Sequence, residues 1–231
     1  MKRLLLLRHA TTEHTGKRLS GWTPGIQLGS QGLGEARALA ERLAPVEIQA
    51  IYSSPLERCL QTATAVAEPR GLKVGTIEEV GEVRFGDWTG RELGELAKTD
   101  LWRTVQVHPS GARFPGGESI HEMQTRAVDA CERLRAAHPE DDTVAVCSHA
   151  DVIKAIAAHY LGLHLDLFQR IAVDPCSVTA IRYTRLRPFL MRLGDTGDLA
   201  GLAPRPPAPG AAPQDAGAQE DGVVGGGAGA P

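Results

Sequence analysis

Apolar positions along this chain fall into two kinds of run. Residues 3–7, 50–52 and 143–147 are short and nearly unbroken in Leu, Ile, Ala and Val, the pattern of strands buried on both faces. Residues 30–43 place Leu33, Ala36, Leu39, Ala40 and Leu43 at three- and four-residue spacing, which predicts an amphipathic helix. Ser53-Ser54-Pro55 predicts another helix start, with Ser54 as cap, Pro55 at the first helical position and Glu57 completing a capping box. That helix is predicted to run to about Glu68. Residues 118–137 predict a long helix. Ser148, with Asp151 three residues on, predicts the cap of a helix ending near Leu161, and residues 177–184 and 189–193 predict two last strands. The alternation of strand and helix predicts the α/β class: a three-layer α/β/α sandwich with a mostly parallel central sheet. Ligands of such sheets bind beyond the carboxyl ends of the strands.

The pattern stops near Gly194. Residues 201–231 are dominated by Gly, Pro and Ala and have too little apolar surface to offset the entropy of ordering, so the chain divides into a folded domain, 1–195, and a disordered tail, 196–231. Aromatic residues are 4% of the 231, so the core must be aliphatic. A net charge of -3 gives no broad attraction to nucleic acid or membrane. The apolar run after Met1-Lys2-Arg3 is only Leu4 to Leu7, against roughly seven to fifteen residues in a secretory leader, and no stretch approaches the ~20 of a membrane span. Cys59, Cys131, Cys147 and Cys176 show neither C-x-x-C nor zinc spacing; they read as small buried thiols in a reducing, cytoplasmic setting, with no metal or cofactor expected.

Three predicted strand ends carry chemistry. Arg8-His9 follows the first: imidazole attacks phosphorus as a nucleophile, and the guanidinium offers a planar fork of donors to phosphate oxygens. Arg58 sits in a helix first turn, where free N–H groups already favour anions. His149 follows the run ending at Cys147 and can donate to a phosphoryl oxygen. Phosphoester cleavage also needs a group that protonates the leaving oxygen and then activates water, and Glu82 is one candidate beside Glu78, Glu79 and Asp87. Taken singly, each of these residues is equally an ordinary surface or helix-end side chain. Trp22, Phe85, Trp88 and Phe114 are either pocket-lining or packing aromatics. Arg84 and Arg113 either meet a second anionic group or are solvated.

In order along the chain stand Leu6-Leu7-Arg8-His9-Ala10-Thr11-Thr12, Ser53-Ser54-Pro55-Leu56-Glu57-Arg58, Glu82 ahead of Phe85-Gly86-Asp87-Trp88-Thr89-Gly90, and Ser148-His149-Ala150. Over about residues 3–193 this set resembles the histidine phosphatase superfamily, also called phosphoglycerate mutase-like. Gly21-Trp22-Thr23-Pro24-Gly25 and Phe114-Pro115-Gly116-Gly117-Glu118-Ser119 also resemble an actinobacterial subgroup described as phosphomutases. The resemblance implies a phosphoglycerate mutase-like fold, His9 as nucleophile, Arg8, Arg58 and His149 as the phosphoryl clamp, and Glu82 as proton donor. It further implies substrate or phosphate contacts at Thr15, Ser20, Gly21 and Ala150. Four departures are visible: Ala10 and Ala150-Asp151 replace the family's glycines, Thr15 replaces its Asn, and the loop to Ser20-Gly21 is a residue shorter.

The expected activity is metal-independent hydrolysis of small-molecule phosphomonoesters through a phosphohistidine. A phosphomutase using the same His9 is the alternative. Gly81-Glu82-Val83-Arg84-Phe85-Gly86 differs from the Ser-Glu-Arg-His-Tyr-Gly of the mutases, and the folded part is only about 195 residues, which favours hydrolysis. A third reading is a non-catalytic phosphate-binding module. The partner implied is a small phosphoester, with neither nucleic acid nor membrane. The oligomeric state, monomer or homodimer, is open.

Overall fold

The computed structural model describes residues 1–197. The last strand ends at Asp195, and from residue 198 on the predicted tail lies outside the described residues. Six strands form one sheet: β1 (Arg3–Arg8), β2 (Ala50–Ser53), β3 (Val74–Thr76), β4 (Thr143–Ser148), β5 (Val178–Arg182) and β6 (Phe189–Asp195). Their order is β3-β2-β4-β1-β5-β6. The first four of that order are parallel, and β5 runs antiparallel to both β1 and β6.

Side chains of the central strands alternate between two cores, as the strand period requires. Leu4, Leu6, Val144 and Val146 enter one core, with α5 (Ile120–Ala137) and α6 (Ala150–Leu161). Leu5, Leu7, Ala145 and Cys147 enter the other, with α1 (Ser30–Arg42) and α2 (Glu57–Ala67). This is the expected helix–sheet–helix layering. The unbroken Leu4–Leu7 and Val144–Cys147 runs exist because both faces are covered. Each fully buried leucine contributes about 1.5–3 kcal/mol.

Several local expectations are corrected. Ser54 does not cap α2: the helix starts at Glu57, Leu56 occupies the cap position without a side-chain cap, and the Glu57 carboxylate accepts the Gly25 N–H at 2.9 Å. Ser148 does not cap α6 either; its hydroxyl donates to the Val80 carbonyl at 2.7 Å, and His149 is the residue before the helix. In both places a tertiary partner outcompetes the local cap. Leu33 is exposed, and the buried face of α1 is Gly32, Ala36, Leu39 and Ala40. The long helix starts at Ile120, behind a capping box of Ser119 and Glu122.

Strand β3 escaped prediction because it is three residues long. Its Gly75 lies against the Tyr52 ring, where an added Cβ would come within 2.7 Å of Cδ1. Two further helices, α3 (Leu93–Leu96) and α4 (Asp100–Val107), fold over an aromatic cluster. There Phe85 meets Phe114 edge-on with ring centroids 4.9 Å apart, and Trp88 lies between Phe114 and Trp102. Phe85, Trp88 and Phe114 are thus core residues.

Candidate active site

The strand order brings distant residues to one edge. Read across β3, β2, β4 and β1, the carboxyl ends of four adjacent parallel strands are followed by Glu82, Arg58, His149 and His9. Register holds them there: Arg8 lies opposite Ser148, the His9 N–H donates to the Ser148 carbonyl at 3.0 Å, and the Ser54 N–H donates to the Cys147 carbonyl at 2.9 Å. Arg8, His9, Arg58, Glu82 and His149 are all buried.

The tautomer of His9 follows from its partner. Nδ1 lies 2.7 Å from the carbonyl oxygen of Ala10, which can only accept, so Nδ1 carries the proton and Nε2 presents its lone pair. Burial, then Arg58 and Arg8, hold His9 well below the ordinary imidazole range, so it is neutral and nucleophilic at pH 7. The ring of His149 stands edge-on to it, with centroids 5.2 Å apart.

Arg58 donates through Nη2 to the Gly21 carbonyl at 2.9 Å and approaches His149 Nδ1 at 3.3 Å, while its Nη1, fully buried, has no hydrogen-bond partner. A buried guanidinium nitrogen in that state costs about 1–3 kcal/mol unless an acceptor arrives. Arg8 donates to the Val173 carbonyl at 2.7 Å, and burial lowers its pKa against the opposing influence of Glu82, Asp174 and Asp151.

His149 must accept at Nδ1, because Arg58 can only donate, so its Nε2–H donates to Ser54 Oγ at 2.8 Å. The ring is neutral, held down by burial and then by Arg58. Glu82 Oε2 lies 3.5 Å from Nδ1, an ion-pair distance. A neutral imidazole makes this instead a carboxyl facing a lone pair, a geometry that favours the protonated acid. Burial, then Asp151, push Glu82 up to about 7, while Arg58, the Val83 N–H and Arg8 oppose them.

Of the remaining predicted positions, Gly21 and Ala150 adjoin these five. Gly21 serves through its carbonyl, which holds Arg58. The Thr15 hydroxyl accepts the Thr12 N–H at 2.9 Å, and Ser20 Oγ lies 3.2 Å from His14 Nδ1, so both hydroxyls are engaged within loop 10–29. Ala150 is buried as the first residue of α6, and the Ala10 N–H donates to Thr62 at 3.0 Å. Among the described residues Cys176 is the one non-glycine with positive φ, so neither Ala10 nor Ala150 occupies backbone that demands glycine. Arg84 pairs with Glu78 at 2.6 Å and covers the Trp22 ring, and Arg113 pairs with Glu122.

Sequence reasoning missed four contributors. Ser54, taken for a cap, orients His149. Trp22 donates to the Glu82 carbonyl at 2.6 Å. Asp151, fully buried 3.4 Å from Lys154, raises Glu82. Arg126 contacts the Glu82 loop from α5. Trp22 stands among the candidate pocket aromatics and Asp151 as a departure from the resembled motif, while nothing in the sequence singles out Arg126.

The chain as a whole is similar to known proteins. The model of the histidine phosphatase superfamily (branch 1) matches residues 4–196. Phosphoserine phosphatase 1 of Hydrogenobacter thermophilus is 31% identical over 207 residues, 85% of this chain and 93% of that protein. The Yersinia pestis protein named "Probable phosphoglycerate mutase GpmB" is 29% identical, over 79% of this chain and 86% of its own. Among solved structures, a histidine-to-alanine mutant of phosphoserine phosphatase from Entamoeba histolytica, in complex with phosphoserine, superposes with a TM-score of 0.76 at 27% identity, covering 85% of this chain and 98% of that one.

Proposed function

The chain belongs to the histidine phosphatase superfamily, and from that premise we propose that it hydrolyses small-molecule phosphomonoesters through a phosphohistidine on His9. The observation that carries the reading is a neutral His9 with its Nε2 lone pair unengaged, beside two buried arginines, one of which keeps an unpartnered Nη1. Nε2 attacks phosphorus in line. The N–P bond forms as the ester P–O bond breaks, and Glu82 gives its proton to the departing oxygen. Glu82, now a carboxylate, takes a proton from water, whose oxygen attacks phosphorus and breaks the N–P bond. Phosphate leaves, and His9 and Glu82 are restored.

Arg8, Arg58 and His149 supply donors where many phosphoryl-transfer enzymes place a metal ion. Each such donor contributes about 2.7–4 kcal/mol in the transition state, by analogy with single oxyanion donors. His149 is oriented for this role by Arg58 and Ser54, and its one N–H, which Ser54 Oγ accepts, passes to the phosphoryl oxygen when the ester binds. Gly21 belongs to the site as the anchor of Arg58, and Thr15, Ser20 and Ala150 belong to the walls around it.

The phosphoserine phosphatases among the relatives make phosphoserine the first ester to test. The mutase-named relative keeps a second reading open, in which the phosphoryl group on His9 returns to another hydroxyl rather than to water. Four buried free thiols fit a cytoplasmic setting. Among the described residues no helix is long and apolar enough to cross a membrane.

The test is phosphate release from a panel of phosphomonoesters in excess chelator, comparing the natural chain with His9→Ala. Chelator-resistant turnover that vanishes in the variant is the expected result. Failure on every ester, with phosphoryl exchange once a phosphorylated primer is added, would establish the mutase reading instead.

A further inference from the structure

Arg126 lies outside the reaction drawn above, yet three of its five donors are directed at the segment that carries Glu82 and the other two at Glu118, which binds the same segment. A guanidinium has five N–H donors, and here each one meets an acceptor. Nε and one N–H of Nη2 reach Glu118, at 2.9 Å and 2.6 Å. The two donors of Nη1 reach the carbonyls of Glu79 and Gly81, at 2.5 Å and 2.9 Å. The other N–H of Nη2 reaches the Glu82 carbonyl at 2.9 Å. Glu118 closes the bracket by accepting the Arg84 N–H on its carboxylate at 2.8 Å and donating its own N–H to the Arg84 carbonyl at 2.9 Å.

Residues 81–85 carry neither helix nor strand, so their backbone groups must find partners elsewhere. Arg126 and Glu118 supply four of them, on Gly81, Glu82 and both backbone groups of Arg84, beside Trp22, Glu78 and the Glu82 carboxylate. Both are mostly buried, with side-chain exposures of 18% and 11%. Their ion pair is charge-assisted and bidentate, the geometry that holds two groups most rigidly. A lysine offers three donors on a flexible stem and would not match three carbonyls and a carboxylate together.

We propose that Arg126, braced by Glu118, is a positioning residue for proton transfer: it fixes the backbone of residues 79–84 so that the Glu82 carboxyl stays at His149 and in reach of the leaving oxygen. This rests on the assignment of Glu82 as proton donor. Its charge has a second effect at the site, since it is among the groups that keep His149 neutral. Small displacements of a general acid are costly in rate, so a loosened loop should impair protonation before it impairs binding.

The experiment separates the two steps by leaving group. Arg126→Met, Arg126→Lys, Glu118→Gln and Glu82→Gln are compared in kcat/KM on p-nitrophenyl phosphate, whose leaving group departs unprotonated, and on the alkyl ester turned over best by the natural chain. Circular dichroism and melting confirm folding at the assay temperature, and Glu118→Gln and Arg126→Lys stand in should Arg126→Met fail to fold. Glu82→Gln is expected to lose about a hundredfold more on the alkyl ester than on the nitrophenyl ester, within the range of general acid catalysis. Arg126→Met is expected to lose at least about tenfold more on the alkyl ester, with Arg126→Lys between it and the natural chain. Equal losses on both esters in the Arg126 and Glu118 variants, with Glu82→Gln still asymmetric, would overturn the positioning role alone. Equal losses in Glu82→Gln would overturn the assignment of Glu82 and this proposal with it.

Discussion

A carboxyl group held near pH 7 inside a protein leaves two marks, one on rate and one on stability. As the proposed proton donor Glu82 must be protonated, so kcat/KM is expected to hold as pH rises toward 7 and to fall above it. His9 adds no limb near neutrality, since burial and two arginines keep it neutral there. Glu82→Gln should be slow and should lack the alkaline fall, which a pH profile of kcat/KM checks. For stability the folded pKa lies above the unfolded value of 4.5, so the contribution is fully present below about 4.5 and is lost as pH rises through 7. The loss amounts to about 3 kcal/mol. The same Gln variant should therefore be more stable than the natural chain at pH 8, with the gap closing by pH 4.5, as measured by urea unfolding at both pH values. His9 and His149 act in the opposite sense: both are buried neutral, so stability falls as pH drops below the 6.5 at which unfolded imidazoles charge.

At the scale of elements, Ser54 separates local from tertiary demand. It stands where a cap would stand, yet α2 begins without a side-chain cap and the Ser54 hydroxyl receives His149 instead. Ser54→Ala is therefore expected to cost about 1–3 kcal/mol by leaving the buried His149 N–H without its acceptor, with α2 itself intact, while lowering kcat through a misoriented His149. Urea unfolding and turnover on one preparation check both halves. The two serines also mark the limit of what the chain shows before folding. Unbroken apolar runs identified β1 and β4, and three-and-four spacing identified α1, because period follows directly from burial. His9, Arg58, Glu82 and His149 were legible because they recur in a fixed order beside those elements. A serine before a helix looks the same whether it caps or reaches across the sheet. Arg126 carried no signal, because three of its donors go to backbone carbonyls, which any sequence supplies, and its carboxylate partner Glu118 lies outside its own helix. Helices α3 and α4 hid in a stretch whose ordering depends on Trp88, Trp102 and Phe114 meeting in space.

For the molecule as a whole, the described residues contain both cores and every group assigned to the reaction. A chain ending after Gly197 is expected to keep the melting temperature and kcat/KM of the full 231 residues, and a drop in either would place part of the folded domain in the tail. The strand order carries a further consequence, for the timing of synthesis. Strands β1 and β2 never touch: β4 lies between them, and it comes some ninety residues after β2 along the chain. Until the ribosome has released Thr143–Ser148, the two earlier parallel strands have no shared partner, and the apolar faces of α1 and α2 have only half a sheet to cover. Nascent chains short of that point must be kept from aggregating, and the enzyme gains its sheet and its second histidine in the same stretch of translation.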